Sequence, residues 1–115
     1  MARHLCYLTD SSKAKKKAEA VFKLIGEDKK PASFLANDLG LTSRQTSQFL
    51  KRIDNVLREK KYNTYRYFVN LSLPQKFTFG DEWVKVNEED NSIVVTSSNG
   101  DVKKIRKDKM EELLE

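Results

Sequence analysis

The chain has 115 residues, 38% hydrophobic and 34% charged, with 22 Lys and Arg against 17 Asp and Glu, a net charge of +5. That length fits one domain, or one domain with a small appendage, and the apolar share suffices for a core under a heavily charged surface. A single cysteine (Cys6) and a single histidine (His4) exclude an internal disulfide and a four-ligand zinc site, and no apolar run approaches the ~20 residues of a membrane span.

In chain order, Leu5, Tyr7 and Leu8 read as a short strand or an arm. This opening has too short an apolar core for a secretion signal, and the lone cysteine suits a reducing compartment, so a cytoplasmic location is expected. Thr9 to Ser12 are good helix caps, and Ala14, Ala18, Val21 and Ile25 then recur at helical spacing, predicting a first helix over 12–26 that ends at Gly26. A second helix is predicted over 32–39, with Pro31 at its start. Gly40 stands where a left-handed residue ends a helix, and Thr42 or Ser43 can cap the next one. That third helix is expected to run from Ser43 to Arg58 or Glu59, burying Thr46, Phe49, Leu50, Ile53, Val56 and Leu57.

Lys60 to Leu71 mixes aromatic, β-branched and polar residues and reads as a hairpin turning near Asn63 and Thr64. Past Pro74, one strand is expected through Phe77, Phe79, Trp83, Val84 and Val86, with a polar turn over 88–91 and a second strand from Ser92 to Ser97. Asn99-Gly100 predicts a type I′ turn into a third strand, Val102 to Ile105, and Lys107 to Leu114 suggests a short amphipathic helix. The expected organisation is therefore two parts. Residues 1–73 hold three helices and a hairpin with an N-terminal arm, and 74–115 hold a three-stranded meander and a helix that serve dimerisation or capping.

Leu35, Ala36, Leu39, Gly40, Leu41 and Phe49 match the pattern of the winged helix-turn-helix family, which this chain resembles over residues 12–71. The resemblance is to small prokaryotic, archaeal or viral transcription regulators. It departs at Thr46, where a buried valine or isoleucine is usual, and in lacking a glycine after the third helix. Threonine is close to valine in shape, and its hydroxyl can bond a carbonyl one turn earlier. The fold class implied is α+β: a winged helix-turn-helix followed by a small antiparallel meander and a C-terminal helix.

The resemblance places the start of the third helix in the major groove of duplex DNA, with Ser43, Arg44, Gln45, Ser47 and Gln48 nearest the bases. Arginine can fork onto guanine and glutamine onto adenine. Lys51 and Arg52 are expected to reach phosphates one turn on, Thr42 to cap or donate to a phosphate, and Lys60, Lys61 and Arg66 to form a basic wing. Charge agrees: residues 1–75 carry 15 basic and 7 acidic residues, and 76–115 carry 7 and 10. The first part attracts a polyanion and the second is repelled by one. The function expected is a sequence-specific, double-stranded DNA-binding transcription regulator, acting as a homodimer. It needs no cofactor, metal, membrane or small-molecule ligand, and it is not an enzyme, since no nucleophile motif or phosphate-cradling glycine loop is present. The alternatives are a protein-interaction adapter and a single-stranded nucleic acid or RNA binder using Tyr62, Tyr65, Tyr67 and Phe68.

Overall fold

A computed structural model describes residues 10–69, 71 and 75–109. The arm through Leu5, Tyr7 and Leu8, together with His4, Cys6 and the apolar residues expected on the last helix (Met110, Leu113 and Leu114), lies outside these residues. The elements in order are α1 (Asp10–Leu24), β1 (Lys30–Pro31), α2 (Ser33–Leu39), α3 (Ser43–Leu50), β2 (Val56–Lys61) and β3 (Thr64–Val69), then β4 (Gln75–Phe79), β5 (Glu82–Glu89), β6 (Ser92–Ser97) and β7 (Val102–Arg106). Residues 107–109 open one further helical turn. No helix among the described residues is long and apolar enough to cross a membrane.

The expected fold class is corrected by this arrangement. Two antiparallel sheets dominate the chain, one of three strands in the order β1-β3-β2 and one of four in the order β4-β5-β6-β7. Neither a winged helix-turn-helix nor a three-stranded meander describes it. The third helix stops at Leu50, short of Arg58, and Val56 opens a strand instead. Its last turn tightens through Arg52 N–H to Phe49 O and Ile53 N–H to Leu50 O, and Asp54 and Asn55 follow as turn residues. Val56 and Leu57 were expected on one helical stripe. In β2 they point to opposite faces, Val56 buried and Leu57 41% exposed. The two-residue β1, which sequence reading did not foresee, pairs Lys30 with Tyr67 and Pro31 with Arg66.

In the second half, the single strand expected through Phe77 and Val86 is two. Gly80, at φ +58°, turns the chain between Phe79 and Glu82, which pair across the hairpin. The loop at Asn99-Gly100 joins β6 to β7 as anticipated, but only Gly100 has a positive φ (+91°), so the turn is not type I′. Ser97 N–H instead donates to Asp101 O and Gly100 N–H to Ser97 O.

One buried cluster runs through both sheets. Ala18, Val21, Leu24 and Ile25 of α1 and its end join Leu35, Leu39, Phe49 and Leu50, and also Phe77, Val84, Val86, Ile93 and Val95. The helix α1 lies between the layers. On one side Lys16 Nζ donates to Leu39 O (2.5 Å) and Lys23 pairs with Asp38 (3.7 Å), holding the C-terminal end of α2. On the other, Lys103 Nζ reaches Lys23 O at 3.4 Å and lies over the Phe22 ring. Gly26, at φ +85°, is so close to β7 that a Cβ would fall 2.2 Å from Ile105 Cδ1.

Candidate nucleic-acid interface

The turn between α2 and α3 is built as its residue types suggest. Gly40 is left-handed (φ 67°, ψ 31°), and Leu41 N–H donates to Ala36 O at 3.0 Å, closing the end of α2. Thr42 caps α3: its Oγ1 accepts from Gln45 N–H (3.1 Å), while Thr42 N–H donates to Gln45 Oε1 (3.0 Å). Thr46 is fully buried, and its hydroxyl donates to Thr42 O at 2.8 Å, the back-bond that lets threonine stand for valine.

These contacts divide the residues expected at the bases. Ser43, Arg44 and Gln48 are exposed on the outer face of α3, followed by Lys51 and Arg52. Gln45 is half-buried, with its carbonyl committed to the cap. Ser47 hydrogen-bonds the phenol of Tyr67 at 2.5 Å, so it ties α3 to β3 instead of standing free. Tyr67 itself is 1% exposed.

The hairpin of β2 and β3 turns at Tyr62 and Asn63, one residue earlier than expected, both with positive φ (53° and 64°) as a type I′ turn requires. Its register pairs Val56 with Val69, Arg58 with Tyr67 and Lys60 with Tyr65 on one face. The other face pairs Leu57 with Phe68, Glu59 with Arg66 and Lys61 with Thr64. The first face carries Tyr67 to its bond with Ser47, so its outer end (Arg58, Lys60 and Tyr65) continues the surface of α3. There Arg58 lies 4.3 Å and Lys60 5.8 Å from the centre of the Tyr65 ring. An open groove lined by Leu50, Lys51, Val56, Leu57, Arg58, Tyr67 and Phe68 joins the end of α3 to the base of the hairpin, residues of both its faces included.

The expected basic wing is thus split. Lys60 shares the α3 side, while Lys61 and Arg66 occupy the reverse side with Glu59. Glu59 forms an ion pair and hydrogen bond with Lys29, which holds its carboxyl below the usual range, and Lys61 and Arg66 add to this attraction. The reverse side is therefore partly neutralised. The α3 side holds Arg44, Lys51, Arg58 and Lys60, and neither α3 nor this hairpin face contains a carboxylate. Arg58 is the residue that sequence reading missed. The signal was the alternation of Val56, Arg58 and Lys60 against Tyr65, Tyr67 and Val69, masked once 56–58 were read as helix.

Among the described residues no three His, Cys, Asp or Glu side chains gather where a metal ion could be held. The chain matches no protein-family model, and comparison with curated proteins and with solved structures likewise finds no match.

Proposed function

We propose that this is a cytoplasmic double-stranded DNA-binding protein that acts in transcription regulation. The observation that supports it best is the basic surface running from Arg44 and Gln48 of α3 to Arg58 and Lys60 of the hairpin, with no carboxylate on α3 or on that hairpin face and Asp54 in the turn between them. A helix that exposes an arginine and a glutamine one turn apart offers guanine and adenine readers at the width of a major groove. The adjoining cations supply phosphate contacts through counterion release. A helix of eight residues reads only a few base pairs, so useful specificity calls for two copies on a pseudo-palindrome, and we propose a homodimer on DNA.

The test is a mobility-shift selection from random duplexes at two salt concentrations, repeated with Arg44→Ala and Gln48→Ala. Each variant is expected to lose about 1–3 kcal/mol at the selected site and to keep its non-specific affinity. Equal binding by wild type and both variants would sink the reading.

A further inference from the structure

We propose that the outward face of the four-stranded sheet binds single-stranded nucleic acid, Trp83 stacking on a base while Lys76, Lys85 and Lys104 hold phosphates. The proposal does not depend on the duplex surface described above. Val84 and Val86 are fully buried, so strand alternation turns Trp83, Lys85, Asn87 and Glu89 of β5 to the side away from α1. Register carries the same face across the sheet: Lys76 stands beside Lys85, Thr78 beside Trp83, and Asn87 beside Val94 and then Lys104.

The Trp83 ring lies against two of these lysines, with Lys85 Nζ 4.7 Å and Lys76 Nζ 6.0 Å from its centroid, and Lys104 stands two strands away, level with Asn87. Among the described residues, no carboxylate lies within ion-pair distance of Lys76, Lys85 or Lys104. Most of the described carboxylates of this half are occupied or displaced. Glu82 accepts from Ser98, Glu88 pairs with Lys107 at 2.6 Å, Asp108 pairs with Arg106 at 2.8 Å, and Asp81, Asp90 and Asp101 sit in the connecting turns. Glu89, at the end of β5, is the one acidic residue at an outward strand position. A segment whose sequence is acidic overall thus presents a basic face that carries one aromatic toward its β4–β5 end.

That combination selects the occupant. An indole with lysines beside it and farther along the sheet matches a chain of phosphates with an unpaired base, since stacking needs a π-face that a duplex keeps inside its helix. Both contacts are indifferent to base identity and to the sugar, so DNA and RNA strands should bind alike.

Trp83 is the only tryptophan in the chain, so its fluorescence reports on this face alone. The full chain is titrated with a 15-mer of oligothymidylate and one of oligouridylate. Both are expected to quench Trp83, with affinity falling as salt rises. The Lys76→Ala, Lys85→Ala, Lys104→Ala triple variant should bind about ten-fold or more weakly, its salt slope flattened by up to roughly 0.7 per lost contact. Trp83→Leu, followed by anisotropy of a labelled strand, should also lose about ten-fold. Arg44→Ala with Gln48→Ala should leave strand binding unchanged. Three results would overturn the proposal: saturation of strand binding with Trp83 emission unmoved, wild-type affinity in the triple lysine variant, or stronger quenching by a duplex 15-mer or anionic phospholipid vesicles than by single strands.

Discussion

Two glycines separate backbone strain from crowding. Gly40 and Gly26 both adopt positive φ, but nothing lies within 4 Å of a Cβ added at Gly40, whereas one at Gly26 meets Ile105. Gly40→Ala carries only the left-handed penalty, about 1–2 kcal/mol. Gly26→Ala adds displacement of a buried isoleucine, for a total of about 2–4 kcal/mol. Thermal unfolding should rank them in that order, and equal losses would mean that α1 does not approach β7 so closely. Lys103 gives a second residue-scale prediction. Burial against α1 pushes its amine down to about 8, a shift that Glu27 opposes and Lys23 reinforces. The unfolded chain keeps this proton to higher pH, so the folded state is penalised below pH 8 and the penalty is relieved between about 8 and 10.5. Lys103→Met should therefore be more stable than wild type at pH 7, by about 1 kcal/mol given the partial exposure, with the gap closing by pH 10.

At the scale of elements, what was legible in the sequence was local. The glycine turn, the Thr42 cap, the Thr46 back-bond and the strand Ser92–Ser97 depend on neighbours within a few residues, and each stands where its residue types place it. What was missed depends on pairing between distant segments. Ile53, Val56 and Leu57 satisfy helical spacing, and only pairing of Val56 with Val69, thirteen positions on, makes a strand from Val56 onward. That misreading also hid Arg58 and misassigned the cations of the hairpin. The two faces now predict different behaviour. Arg58→Ala with Lys60→Ala should flatten the duplex salt slope by up to about 0.9 for each lost phosphate contact. Lys61→Ala with Arg66→Ala, on the side that Glu59 partly neutralises, should change it far less. Equal changes from both pairs would mean that DNA straddles the hairpin rather than lying along α3.

For the whole molecule, the position of α1 decides how the two halves depend on each other. Residues 74–115 were expected to serve dimerisation or capping, and their apolar Val84, Ile93 and Val95 are at most 2% exposed and belong to the same cluster as α1. Trp83, next to Val84 in the chain, turns to the opposite face. Any homodimer contact must therefore lie elsewhere, and the four-stranded sheet covers α1 in its own chain. Removing residues 74–115 would strip one side of α1, leaving Ala18, Val21, Leu24 and Ile25 without the Phe77, Val84, Val86 and Val95 side chains of their cluster. Each large apolar residue returned to water costs about 1.5–3 kcal/mol, and a few such losses exceed the 5–15 kcal/mol margin of a typical domain. A chain ending at Leu73 should then show no cooperative thermal transition, while the full chain melts in one step seen alike by Trp83 fluorescence and far-ultraviolet circular dichroism. Cooperative melting of the truncated chain would show that the helices and hairpin fold alone, and the reading of α1 as a shared core would fail.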